Sequence, residues 1–130
     1  PRKRILGKDL TIVSMGASVL TSIQACENLK NKSINVDLID LRSLSTFNIE
    51  KIFLSVKKTK RLLMVEDGWS NGSISSEIIT RVAEAGIKLK KPPQRICWPN
   101  SHVPMSPVSE KEFYFDQKDI FNASIKLMKV

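Results

Sequence analysis

The chain has a single histidine, His102, and only two cysteines, Cys26 and Cys97, in 130 residues. Structural zinc takes four ligands grouped in close pairs, and no Cys-x-x-Cys spacing exists here to supply them. The composition therefore argues against a zinc centre, and two scattered cysteines read as buried free thiols of a reducing compartment. Glycine is sparse, at five residues. Gly16 stands alone in "SMGAS", so the three-glycine dinucleotide fingerprint fails, and no P-loop pattern occurs. No apolar run approaches the ~20 residues of a membrane-spanning helix. The start, "PRKRILGKDL", is basic but lacks the apolar stretch of a signal peptide, and it lacks an initiator methionine. These features lead us to expect a piece of a longer chain, cut at a domain boundary.

Aromatic residues make up 6% of the chain, which bears on its net charge of +8. Such a charge invites a nucleic-acid reading, and nucleic-acid grooves interleave aromatics with basic residues. Here the positive charge clusters at Arg2-Lys3-Arg4, at Lys57, Lys58, Lys60 and Arg61, and at Lys88, Lys90 and Lys91. The aromatics stand apart, at Trp69, Trp98 and Phe113-Tyr114-Phe115. We expect no nucleic-acid partner, and either a solvated basic surface or docking to an acidic partner.

What the sequence does have is a regular alternation of two patterns. "LTIVSM", "VDLIDL", "RLLMVE" and the shorter "QRICW" are nearly continuous apolar runs, as in strands buried on both faces of a parallel sheet. A first short strand fits "RKRIL". Between the runs lie helical stripes: Val19, Ile23, Cys26 and Lys30 with Leu20 and Leu29; then Ile49, Ile52, Phe53 and Val56; then Ile74, Ile78, Val82 and Ala85. A last helix, with Asp116 as N-cap, carries Ile120, Ser124, Leu127 and Met128. Strand and helix alternating at about 25-residue spacing predict a three-layer α/β/α domain with right-handed crossovers. The segment "WPNSHVPMSPVSEKEFYF" holds three prolines and reads as a long functional or interface loop.

Ligands in open α/β sheets sit at the carboxyl ends of the strands. After the first core strand, Ser18 reads as a helix cap, with anion binding as the alternative. After the second, Asp40 and Arg42 lie two apart and so share a face, which favours a structural pair. After the third comes "VEDGWSNGSISSEI". Its glycines suggest a phosphate cradle, but Glu66 and Asp67 put negative charge where the phosphate would sit. We read it as a rigid corner leading into a helix, with Gly68 and Gly72 permitting the turn and Trp69 as a packing anchor. His102 has no evident serine or cysteine partner. No nucleophile, base and oxyanion hole come together, so neither catalytic nor cofactor-binding nor metal-binding residues are assigned.

These stretches resemble a known family. "GKDLTIVSMG", "VDLIDLRSLSTFNIEKIFLSVKKTKRLLMVEDGW", "SSEI" and "VPMSP" are similar to the C-terminal domain of the beta subunit of 2-oxoacid dehydrogenase decarboxylating components. The pyruvate enzyme is the nearest match and the branched-chain enzyme the second. The likeness covers essentially the whole chain. It implies a transketolase C-terminal-type fold: a mixed, mostly parallel five-stranded sheet between helices, forming one domain over residues 1–130. It also implies thiamine diphosphate and Mg²⁺ in the whole enzyme, bound outside this segment, and an isolated chain without activity. The implied partners are an alpha subunit, a second beta subunit and the peripheral subunit-binding domain of the dihydrolipoamide acyltransferase. The implied compartment is the mitochondrial matrix in a eukaryote and the cytoplasm in a bacterium. The family often has Leu-Asp-Ala-Pro where this chain has Leu89-Lys90-Lys91-Pro92, which reverses a charge at an acyltransferase contact. The resemblance assigns Lys90, Lys91 and the terminal Val130 to docking. A reading of a different class is a free-standing anion- or nucleotide-binding module using Ser18 or the Gly72-Ser73 helix start.

Overall fold

The computed structural model describes residues 1–43 and 45–129. Five strands form one sheet: β1 (Arg2–Ile5), β2 (Leu10–Ser14), β3 (Val36–Asp40), β4 (Leu62–Trp69) and β5 (Gln94–Trp98). Their order across the sheet is β1-β3-β2-β4-β5. β1 runs antiparallel to β3 at one edge, and the remaining pairs are parallel. Among the described residues, three helices connect successive strands, α1 (Ser18–Lys30), α2 (Ile49–Thr59) and α3 (Ile74–Glu84), and two follow β5, α4 (Pro107–Phe113) and α5 (Gln117–Met128).

The apolar runs work as two interleaved sets because successive strand side chains point to opposite faces. Leu10, Ile12, Val36, Leu38, Leu63 and Val65 face one way and pack with Ala25, Cys26 and Leu29 of α1 and Ile120 and Leu127 of α5. Val13, Ile39, Leu62 and Met64 face the other way, onto Ile52 and Val56 of α2 and Ile78 and Val82 of α3. The result is the expected mixed three-layer α/β/α architecture. Each fully buried Leu, Ile or Val contributes roughly 1.5–3 kcal/mol, so these two layers dominate the fold's stability.

The helical stripes hold with some trimming. Leu20 lies outside the core at 70% exposure, and Lys30 and Ala85 are also exposed. Asn48 caps α2, accepting from the Glu50 backbone N–H. Asp116 caps α5 in a reciprocal capping box with Asp119. The proline-rich segment is not wholly irregular. Ser106 caps a short helix in which Pro107 takes a first-turn position, where its missing N–H costs nothing.

Candidate functional site

Strands β2 to β5 are parallel, so their carboxyl ends line one edge of the sheet. β4 is longer than its apolar run, continuing through Gly68 to Trp69. Gly68 therefore lies in the strand and needs no positive φ. Among the glycines of this region, Gly16 (φ +63°) and Gly72 (φ +67°) take the left-handed conformation. The corner begins after Trp69.

The Glu66 carboxylate turns back onto the N-terminus of α3. It accepts from the backbone N–H groups of Ile74 at 3.4 Å and Ser75 at 3.2 Å, and from the Ser75 hydroxyl at 2.6 Å. The free N–H groups and positive dipole end that would attract a phosphate are thus taken by the chain's own anion. Ser73 completes the cap by accepting from the Ser76 N–H at 3.2 Å. Arg95 crosses over the turn, donating to the Ser70 carbonyl at 2.9 Å and the Ser76 hydroxyl at 2.7 Å.

A second closed group lies at the end of β2. Ser14, Ser18 and Ser22 are buried together, with Ser14 and Ser18 oxygens 2.8 Å apart and Ser22 donating to Ser14 at 3.1 Å. The Ser18 hydroxyl donates to the Met15 carbonyl at 2.6 Å. Ser18 is thus inside the first turn of α1 and not its cap; Ala17 holds that position, without a side-chain cap. The serine side chains satisfy one another, which a buried hydroxyl requires.

Asp40 and Arg42 do pair, at 3.6 Å, but the stronger partner is Arg4 of β1, whose Nε and Nη2 reach the carboxylate at 3.2 and 3.1 Å. This fastens the antiparallel edge strand to its neighbour β3. Trp69 is not a core anchor. Its ring is 51% exposed, and its indole N–H donates to the Ser101 carbonyl at 2.9 Å. Asn100 ties the same loop to the turn, donating to Ser70 Oγ at 3.0 Å and accepting from the Asn71 N–H at 3.3 Å. Trp69, Asn71, Asn100, Ser101 and His102 line an open hollow of about 380 Å³.

The fold gathers the aromatics that the sequence keeps apart. The rings of Trp98, Phe113 and Tyr114 meet with centroids 5.3–5.9 Å apart, in the tilted and edge-on geometries that aromatic quadrupoles favour. The buried indole N–H of Trp98 has no full hydrogen bond. Burial raises the nearby Asp67 carboxyl above its ordinary pKa, against the opposing pull of the Ser18 N–H and the Trp98 indole. In the same segment large apolar side chains reach solvent: Met105 is 99% exposed and Val108 72%, with Val103 and Tyr114 also exposed.

Sequence reasoning missed one polar centre, at the other end of the sheet. Asp37 is fully buried in β3. It accepts from Ser55 at 2.5 Å, from Gly7 N–H at 3.3 Å, and from Lys3 and Lys58 at 3.2 Å. Thr11 joins Ser55 and Thr59, each at 2.7 Å. Burial alone would raise the Asp37 carboxyl, but the Ser55, Lys3, Gly7 and Lys58 bonds outweigh it and hold it below the ordinary value. The available signal was a carboxylate between Val36 and Leu38, inside the apolar part of "VDLID". Cys26 is buried and its thiol pushed up to about 12, by burial and then Glu27, so it is inert. Cys97 is only half-buried, and burial followed by the Glu66 charge raises it too, against Arg95 and Ser75.

Lys90 and Lys91, which the resemblance assigns to docking, lie at the amino end. The Lys90 N–H donates to the Lys60 carbonyl at 2.8 Å. Lys91 borders a cleft with Lys126 and Lys129, at the end of α5. Val130 lies outside the described residues.

These residues do not fit a diphosphate and its metal at the carboxyl end. The N-terminus of α3, beside the end of β4, is filled by Glu66. Among the described residues, no three His, Cys, Asp or Glu side chains group to hold an ion.

Comparison with known proteins agrees with this architecture. Residues 2–120 match the family model "Transketolase, C-terminal domain". The chain is 37% identical over 126 residues to the mitochondrial pyruvate dehydrogenase E1 component subunit beta of Chaetomium thermophilum, covering 95% of this chain and 33% of that one. It is 32% identical over 123 residues to the acetoin:2,6-dichlorophenolindophenol oxidoreductase subunit beta of Bacillus subtilis, covering 94% of this chain and 36% of that one. It thus spans about a third of the length of these relatives. Among solved structures, the inactive beta4 tetramer of a split-gene transketolase superposes with a TM-score of 0.79 at 20% identity, covering 98% of this chain and 42% of that one. The five-stranded mixed sheet, its helical layers and this match along nearly the whole chain lead to one conclusion: the chain belongs to the transketolase C-terminal domain family.

Proposed function

We propose that this chain is the assembly domain of the beta subunit of a thiamine diphosphate-dependent dehydrogenase acting on pyruvate. Its work is to hold beta to an alpha subunit and to a second beta subunit in an α2β2 heterotetramer, and to present the complex to the acyltransferase core. Thiamine diphosphate and Mg²⁺ belong to the rest of the holoenzyme. A branched-chain 2-oxoacid remains the second choice of substrate. The Bacillus subtilis relative also supports an acetoin oxidoreductase of similar build.

One observation carries the assembly reading. Trp69, Val103, Met105, Val108 and Tyr114 expose apolar surface on the loops and short helix at the carboxyl end. A lone domain gains nothing from that exposure, and such patches mark interfaces. The self-capped α3 supports the same reading, since Glu66 holds the position an anionic ligand would need.

Thermal melting of the chain with thiamine diphosphate plus Mg²⁺, pyrophosphate and ATP tests it. Binding to the native state raises the midpoint. The proposal expects no ligand to do so at millimolar concentration. A rise of several degrees with any of them would favour the anion- or nucleotide-binding module instead.

A further inference from the structure

The amino end of the sheet collects positive charge that the fold does not use. Backbone pairing sets Lys90 against Lys60. Arg61 donates to the Leu127 carbonyl at 2.8 Å, bringing the end of α5 to the same place. Lys60, Lys90, Lys126 and Lys129 are exposed and Lys91 is half-buried. None of the five forms an ion pair with a described carboxylate.

Helix dipoles explain part of this. α2 and α5 both end here, and each C-terminus carries about half a negative charge. Together they balance roughly one of the five ammonium groups, and Arg61 already serves the last turn of α5. The remainder has no compensating carboxylate among the described ion pairs, and like charges on one surface repel one another.

Between them lies an open cleft of about 400 Å³ bordered by Lys91, Pro92, Gln94, Lys126, Leu127 and Lys129. Its rims are cationic, and no carboxylate borders it among the described residues. Pro92 and Leu127 give it an apolar floor. No aromatic ring among these residues offers a base something to stack on, as single-stranded nucleic-acid grooves do. We propose that this cleft docks an acidic, extended protein segment, with carboxylates against Lys91, Lys126 and Lys129 and an apolar side chain on Pro92 and Leu127. The inference stands on charge and shape, and does not depend on which enzyme the domain serves.

The test is fluorescence anisotropy of the chain with a labelled short peptide of alternating glutamate and leucine. A peptide with lysine for glutamate and a labelled oligo-dT strand serve as comparisons. Lys91→Glu/Lys126→Glu removes the rims. Lys111→Glu/Lys118→Glu makes the same change in net charge on α4 and α5 away from the cleft. The expected result is saturable binding of the acidic peptide, weakened at least about tenfold by the first pair and less than about twofold by the second. Equal weakening by both pairs would overturn the proposal, since net charge alone would then explain binding. Tighter binding of oligo-dT than of the peptide would overturn it in favour of nucleic acid. Absence of peptide binding at low salt, with the chain folded by circular dichroism, would also overturn it.

Discussion

At the scale of single residues, two carboxylates settle what the ends of the sheet do. Glu66 converts a phosphate-like turn into a closed one. Removing it leaves the Ile74 and Ser75 N–H groups without a partner. Hydrogen bonds to charged groups are worth about 1.5–3 kcal/mol each in net terms, and two weak ones here share that range. Glu66→Ala should therefore lower unfolding free energy by roughly 1–3 kcal/mol in urea, and Glu66→Gln by less, because its amide oxygen still accepts. Asp37 acts through pH. Its folded pKa lies below the ordinary 3.8, so the ionised form binds its partners in the native state. The stability this confers is present above 3.8 and is lost as pH falls through the folded value. Wild type should lose stability steeply on acidification below pH 4, and Asp37→Asn should flatten that loss while lowering stability at neutral pH. Asp67 has the opposite sign. Its folded pKa is raised, so its contribution fades as pH rises through that value, and Asp67→Asn should leave neutral-pH stability unchanged or higher. Acid titrations of the three proteins, followed by circular dichroism, check both signs.

At the scale of elements, the sequence was most legible where periodicity and caps agree. The stripe of α2 and the Asp116 cap of α5 could be read from spacing because local chemistry alone determines them. Asp116→Ala should cost about 1 kcal/mol, the usual worth of a cap, measurable as a lowered denaturation midpoint. The failures share one physical origin, which is contact between segments distant in sequence. Nothing in "VEDGW" says that β4 runs on to Trp69, because that extension depends on the register shift against Trp98 of β5. Nor does any local feature say that Trp69 bonds to a loop carbonyl 32 residues away. Its half exposure revises an expected core cost. Trp69→Ala should destabilise by less than the roughly 3–5 kcal/mol of a buried aromatic, and a urea melt with that larger loss would contradict the exposed placement. The serine group of Ser14, Ser18 and Ser22 was likewise invisible, since helix spacing places Ser18 and Ser22 together but not against the end of β2. The acidic corner was readable, as charge alone argued against a phosphate there, but the role of Glu66 as the cap of α3 needed the fold.

At the scale of the whole molecule, the domain has two dissimilar ends. The carboxyl end exposes apolar side chains beside the closed α3 cap, and the amino end carries lysines beyond the two that pair with Asp37. Neither end places catalytic groups together, so purified chain supplied with thiamine diphosphate, Mg²⁺ and pyruvate should release no CO₂ above a heat-treated control. The proposed role lies in holding subunits together. The most direct measurement is light scattering on the beta subunit that this proposal implies, purified with the alpha subunit it implies, with and without residues 1–130. The account predicts an α2β2 mass with the domain present, and loss of that mass both when it is removed and when Met105 and Val108 are replaced together by Asp. A heterotetramer that forms equally well without the domain would contradict it.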